Sequence, residues 1–303
     1  MVAALSIYVL WTFSKAFDKV NHSALCIKLM KRRPPVELLN ILIYWLDICS
    51  SCVRWNGVLS QFFKLAFGVR QDSVLSPFLF AIYLDDIFDY RFNNMSSFII
   101  LYADDIVLLA QSVGELQHIL SVCERELSWL DMNINSKKSC CIRIGPRCNI
   151  ECKNITTSSG CSLPWVTEIR YLGIHITQSR LFKCSFDQAK RAFYRSLNAI
   201  FGKIGRFASE EVIIQLVAQK CLPILLYGTE ACPLNKSDLN SFDFAVNRFL
   251  MKLFKTNNIN IIDDCRLFFN VSLPSSLIVI RTNRFISKLK QVDNLLCQIF
   301  SGC

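Results

Sequence analysis

The chain has 303 residues, enough to bury a core for one large domain or two, and carries a formal net charge of +10. Hydrophobic residues make up 52% of it, yet no uncharged apolar run reaches the ~20 residues that a membrane-spanning helix needs, so no membrane contact is expected. The opening MVAALSIYVLWTF has the apolar core of a signal peptide without the preceding basic residue or the following small-residue cleavage site. It reads instead as a buried strand.

Charge is uneven along the chain. Residues 181–303 hold 16 Lys/Arg against 9 Asp/Glu, whereas residues 1–180 hold 18 against 15. A basic C-terminal part suits a polyanionic partner, although a solvated basic face has the same count. The fifteen cysteines are scattered, several in apolar stretches (Cys26, Cys221, Cys297), which points to reduced thiols in an intracellular protein. Cys49 and Cys52 form a CxxC and Cys148 and Cys152 a CxxxC, but no second pair completes either into a zinc site.

In chain order, residues 5–13 are a strand. The segment after it, with Val20, Ala24, Ile27 and Leu29 as its apolar positions and a basic end at Lys31 to Arg33, is an amphipathic helix stopped by Pro34 and Pro35. Residues 36–49 are apolar on most faces and predict a buried helix. Asn56-Gly57 signals a β-hairpin within 52–67. GVRQDSVLSP (68–77) is a loop that opens a third helix. Residues 115–133 form an amphipathic helix with Leu116, Ile119, Leu120, Cys123, Leu127 and Leu130 on one face. Residues 140–145 and 168–177 are strands, and from residue 185 the pattern is helical. This order gives an α+β fold for residues 1–178 followed by an α-helical domain over 179–303.

The stretch that organises the rest is SFIILYADDIVLLA (97–110). Two apolar arms flank Asp104 and Asp105, which predicts a tight hairpin of buried strands with two carboxylates at its tip. Adjacent carboxylates beside a core repel unless a cation neutralises them, and Mg²⁺ takes one or two carboxylates plus substrate phosphates. A solvated Asp-Asp turn has the same pattern.

Five stretches now stand in order: FSKAFDKVNH, GVRQDSVLSP, YADD, NSKKS and YLGI. Together they resemble the palm of reverse transcriptases of the non-LTR (LINE-type) retrotransposon family. The resemblance runs on through KCLPILLYGTEACPLNKSDLNSFDFAVNRFLMKLF, and so from residue 5 to about residue 280. It implies a polymerase palm, an antiparallel sheet with packed helices, followed by an α-helical thumb-like domain. The implied activity is RNA-directed DNA polymerisation, with Mg²⁺ or Mn²⁺ as cofactor and an RNA template, a DNA primer and dNTP as partners. By the same resemblance, Asp104 and Asp105 are the catalytic and metal-binding carboxylates. Phe17 lies under the sugar, Gln71 and Ser73 line the nucleotide, Lys138 sits near the departing pyrophosphate, and Tyr171, Leu172 and Gly173 form the primer grip. Read alone, Phe17 is a core aromatic, Lys138 a solvated turn lysine, and 171–173 a strand with a glycine.

Three departures stand against the matches. The family pattern Asp-x-Ser-Lys-Ala-Phe-Asp places its catalytic Asp at position 12, which here is Thr12, so the two-ion site is expected to be incomplete. Asp18 and the helix pair Asp85–Asp86 are poor substitutes. Asp72 replaces a family glycine beside the triphosphate, adding bulk and negative charge. The fingers region that precedes the palm in the family is expected to be missing. Impaired polymerase chemistry follows, and the alternative is a non-catalytic nucleic-acid-binding protein derived from such an element.

Overall fold

A computed structural model of the chain describes residues 16–70, 73–85, 97–205, 207–293 and 297, and the backbone of 6–12. The chain divides into two compact units, residues 1–169 with 178–181, and residues 170–177 with 182–303. Gln71, Asp72 and Asp86 lie outside the described residues.

Unit 1 begins with β1 (Ser6–Thr12), followed by a 3-10 turn (Phe17–Lys19), α1 (His22–Lys31) and α2 (Val36–Asp47). Two short ribbons come next, from β2 (Ser50–Ser51), β3 (Arg54–Trp55), β4 (Val58–Leu59) and β5 (Phe63–Lys64). After α3 (Ser76–Leu84) come the hairpin strands β6 (Phe98–Tyr102) and β7 (Asp105–Ala110), α4 (Val113–Ser128) and β8 (Cys140–Ile144). A ribbon of β9 (Ile155–Thr156) and β10 (Ser162–Leu163) precedes β11 (Glu168–Tyr171), within which the unit boundary falls.

The central sheet has the order β6-β7-β1-β8 and every pairing in it is antiparallel. β7 is the strand most fully covered: Ile106, Val107, Leu108 and Ala110 are buried. α4 closes over it with Leu116, Ile119, Leu120, Cys123 and Leu127, the stripe the sequence predicts, and Leu130 is buried just past the helix end. Ser112 caps α4 by accepting from the Glu115 amide at 3.2 Å. β6, at one edge of the sheet, is only half-buried, whereas β8, at the other, is buried from Cys141 to Ile144.

Three expectations need correction. The helix after β1 starts at His22 and so leaves out Val20, because Asn21 caps it by accepting from the Ser23 and Ala24 amides. On that helix Leu25 and Leu29 face the core, while Ile27 is 57% exposed. α2 is not a buried helix: of its residues Leu46 alone is buried, with Leu39, Leu42 and Trp45 packed against the core, and Ile41 and Tyr44 face solvent. Its apolar composition runs round the helix, but among the described residues only one side finds a neighbour to pack against. The stretch 168–177 is not one strand but a tight hairpin, β11 and β12 (Ile174–Thr177), turning at Leu172 (φ 45°) and Gly173 (φ 84°). Both turn residues sit in the left-handed region, as a two-residue hairpin requires. The Asn56-Gly57 turn has the same form, at φ 46° and 83°.

Unit 2 continues with β13 (Lys183–Ser185), which pairs with β12, and is helical beyond it. Its helices are α5 (Asp187–Ile204), α6 (Glu210–Leu216), a π-turn (Val217–Cys221), α7 (Leu222–Leu225), α8 (Lys236–Phe254), α9 (Ile259–Phe268) and α10 (Pro274–Leu289). Phe193, Leu197, Phe242, Val246 and Phe249 form the centre of its core. A capping box of Asn235 and Asp238 starts α8. The helical run Glu210–Ala231 is long and apolar enough to cross a membrane by length and composition. In this fold it carries Ile213, Val217, Cys221 and Leu225 into the unit 2 core. The fourteen described cysteines are free thiols.

Tyr83 ties three pieces of unit 1 together. Its ring is fully buried, its hydroxyl donates to the Leu130 carbonyl at 2.8 Å, and it accepts from the Asn21 amide at 3.3 Å. Tyr83→Phe strands a buried carbonyl and should lower unfolding free energy by about 1–2 kcal/mol, read as an earlier denaturant midpoint at unchanged m-value.

Candidate active site

The hairpin tip is built by register. Tyr102 pairs with Asp105, leaving Ala103 and Asp104 as the two turn residues. Ala103 adopts φ 51°, a left-handed conformation that a residue with a Cβ enters at a cost of about 1–2 kcal/mol. The two carboxylates are therefore not equivalent: Asp104 stands on the turn, while Asp105 begins β7 and belongs to the ladder. Both are half-buried. Burial first, and then the charge of Asp104, raise the Asp105 carboxyl above its ordinary range, and no basic side chain enters that balance.

On its other side Asp105 pairs with Thr12, the last residue of β1. The neighbour beyond, β8, starts at Cys140 opposite Leu10. Lys138 lies two residues before that start, on the same end of the sheet. It is exposed, on a turn in which Asn135 accepts from the Lys138 and Ser139 amides at 3.0 Å and from the buried Ser139 hydroxyl at 2.8 Å. So the start of β7, the end of β1 and the approach to β8 converge at one edge, and they bring Asp105, position 12 and Lys138 to it.

Phe17 follows β1 on the 3-10 turn and packs against Phe80 of α3, with ring centroids 4.6 Å apart. The loop 67–70 is laced to this turn: the Gly68 amide donates to the Val20 carbonyl and the Val69 amide to the Phe17 carbonyl, both at 2.8 Å. The His22 ring bonds the Gly68 carbonyl at 2.7 Å. Gly68 is required here, since at φ +88° a Cβ would come within 3.0 Å of the Asp18 carbonyl oxygen. Ser73 lies at the far end of this loop, half-buried, its hydroxyl accepting from the Leu75 amide at 3.4 Å. The first two motifs of the sequence are thus held side by side.

In unit 2 the turn Tyr171-Leu172-Gly173 is clasped by residues the sequence reading did not single out. The Tyr227 hydroxyl donates to the Leu172 carbonyl at 3.0 Å. A Cβ on Gly173 would meet the Tyr227 ring at 3.0 Å, and one on Gly228 would strike Ile174. The available signal was the YG pair within LLYGTEA. A groove of about 670 Å³ in the same unit is lined by Arg170, His175, Gln188, Arg195 and Tyr227.

The tip's donor set fits one divalent ion, held by Asp104 and Asp105 with phosphate oxygens and water completing the shell. Among the described residues no group of three or more His, Cys, Asp or Glu is placed to hold a metal.

Residues 6–176 match the family described as reverse transcriptase (RNA-dependent DNA polymerase). The chain belongs to that family. Its relatives place it with the non-LTR, LINE-type retrotransposon enzymes. It is 26% identical over 188 residues to the Retrovirus-related Pol polyprotein from type-2 retrotransposable element R2DM of Drosophila melanogaster, a match that covers 57% of this chain and 18% of that protein. It is 25% identical to the RNA-directed DNA polymerase from mobile element jockey (59% and 20% covered) and 26% identical to the probable RNA-directed DNA polymerase from transposon BS (77% and 27% covered), both of the same fly. The chain thus spans about a fifth to a quarter of the length of these relatives. Among solved structures it aligns with telomerase from Candida tropicalis at TM-score 0.47 and 12% identity, over 97% of this chain and 48% of that one.

The raised Asp105 sets a pH dependence. A carboxyl held above its ordinary value contributes stability below the unfolded value and loses it as pH rises through the folded one. Asp105→Asn should therefore raise the melting temperature at pH 7, and the gain should vanish below about pH 4, as followed by differential scanning fluorimetry.

Proposed function

We propose that this chain is the palm and thumb-like part of an RNA-directed DNA polymerase, with a metal site one carboxylate short. The observation that carries the reading is the pairing of Thr12 with Asp105. The strand position adjoining the ladder carboxylate is where a third metal-binding oxygen anion would stand, and a threonine hydroxyl is neutral. Mg²⁺ or Mn²⁺, held by Asp104 and Asp105, would supply charge neutralisation for a transferred phosphoryl group. Phe17 would pack under the sugar of an incoming dNTP. The loop bearing Gln71 and Ser73, latched to the Phe17 turn, would line the nucleotide, and Lys138 would face the leaving pyrophosphate. The Tyr171–Gly173 turn would hold the DNA primer against the RNA template.

Asp72 adds a second impairment, since a carboxylate beside a triphosphate opposes binding. Losing one of three metal carboxylates should lower the rate on the order of 10³-fold. Thr12→Asp with Asp72→Gly should therefore raise primer extension on poly(rA)/oligo(dT) by about that factor, and Asp104→Ala in the restored background should abolish it. Robust incorporation by the unaltered chain that Asp104→Ala removes would sink the impaired-site reading.

A second reading, non-catalytic nucleic-acid binding, is favoured by the Arg170–Arg195 groove and the 16 basic residues against 9 acidic over 181–303. Binding of this kind weakens steeply with salt. A gel-shift titration should show RNA retained at low salt and released as salt rises, with Arg195→Glu weakening retention. Absence of binding at low salt would count against it.

A further inference from the structure

The β11–β12 turn of unit 2 is held in a conformation that its own sequence disfavours. Leu172 has φ 45° and Gly173 φ 84°, and a two-residue turn of that form ordinarily begins with Asn, Asp or Gly. A leucine in the left-handed region is strained, because its Cβ crowds the neighbouring backbone. Burial does not compensate, since Leu172 is 37% exposed. What holds the turn is Tyr227, which donates its hydroxyl to the Leu172 carbonyl at 3.0 Å and sets its ring where a Cβ on Gly173 would stand. Tyr227 is itself 55% exposed, so this contact adds little to the core.

The residues behind Tyr227 anchor it. Gly228 turns the chain at φ 71° and lies so close to Ile174, the first residue after the turn, that any Cβ would strike it. The buried Thr229 hydroxyl donates to the Leu226 carbonyl at 2.9 Å. Glu230 pairs with Arg281 of α10 at 3.2 Å. Four consecutive residues thus tie the turn to α10 and to the end of α7, all within unit 2. Tyr227 and Gly173 also wall the groove that Arg170 and Arg195 line. Strain kept at an exposed tip, by a contact that buries little, marks a place where position matters more than stability.

We infer that Tyr227 is a positioning residue: it sets where the turn stands and, through the turn, where the primer terminus is held. This rests on the reading of Tyr171–Gly173 as the turn that holds the primer. The test compares the unaltered chain with Tyr227→Phe on an RNA template annealed to a DNA primer ending in the fluorescent base 2-aminopurine. Affinity is read by anisotropy, the placement of the terminus by its fluorescence at saturation, and the turn itself by hydrogen exchange. Tyr227→Phe keeps the ring, so melting temperature and affinity for the duplex should stay unchanged. It should lose the change in terminal-base fluorescence that the unaltered chain gives on binding. Exchange at the amides of 172–175 should rise about fivefold, as the loss of one hydrogen bond predicts. Terminal fluorescence that does not respond to the unaltered chain, or responds equally to Tyr227→Phe, would overturn the positioning role and leave duplex binding standing. Faster exchange spread over the whole of unit 2 would make Tyr227 a structural residue only. No duplex binding by the unaltered chain at low salt would remove the primer-holding reading, and this inference with it.

Discussion

One strand sets the geometry on which unit 1 depends. β1 is hydrogen-bonded on both sides, to β7 and to β8, so a single register fixes two interfaces together. Side chains alternate along a strand with period two, and a slip of one residue would exchange the two faces of β1. The same slip would move position 12 off Asp105. Core packing and the arrangement at the hairpin tip are thus enforced by one constraint. The stripe of α4 over β7 and the buried Tyr83 hydroxyl secure it from above and from the side.

The two ends of that sheet carry opposite charge. At one, Asp104 and Asp105 stand half-buried beside a neutral threonine position. At the other, Arg143 is buried with a carbonyl and a thiol for company. Neither arrangement is what folding alone would select, since a charge beside a core is costly unless something answers it. At the tip, the divalent cation proposed for Asp104 and Asp105 would answer that charge. Both ends belong to the family's matched span, residues 6–176, although only the tip coincides with a motif.

The hairpin was legible because apolar arms and a two-residue polar break leave few other solutions, and Asn56-Gly57 was legible for the same reason. α4 was legible through its stripe. The exposure of α2 was not, because composition records which side chains favour burial and says nothing about whether a neighbour exists to provide it. The hairpin at Leu172-Gly173 was hidden by its first turn residue, as leucine rarely adopts φ 45°. What holds it there is Tyr227, fifty-five residues on in the chain. At the candidate site the residue types were readable, whereas the packing of Phe17 on Phe80 and the latch of Gly68 to the Phe17 turn are contacts across sequence distance. The separate standing of Asp104 on the turn and Asp105 in the ladder is likewise a matter of register. The burial of Arg143 gave no signal at all, since nothing in the sequence marks an isolated strand arginine as buried.

Ala103 holds a further consequence. Its left-handed backbone stores free energy that only the closed hairpin can contain, and relaxation is available as soon as β6 peels from β7. β6 lies at one edge of the sheet, with one hydrogen-bonded neighbour among the described residues, and it is less buried than β8 at the other edge, so it is the more easily released of the two. Closure of β6 on β7 and the left-handed turn that carries Asp104 therefore stand or fall together, so the position of that carboxylate is tied to the edge strand rather than to the sheet's centre.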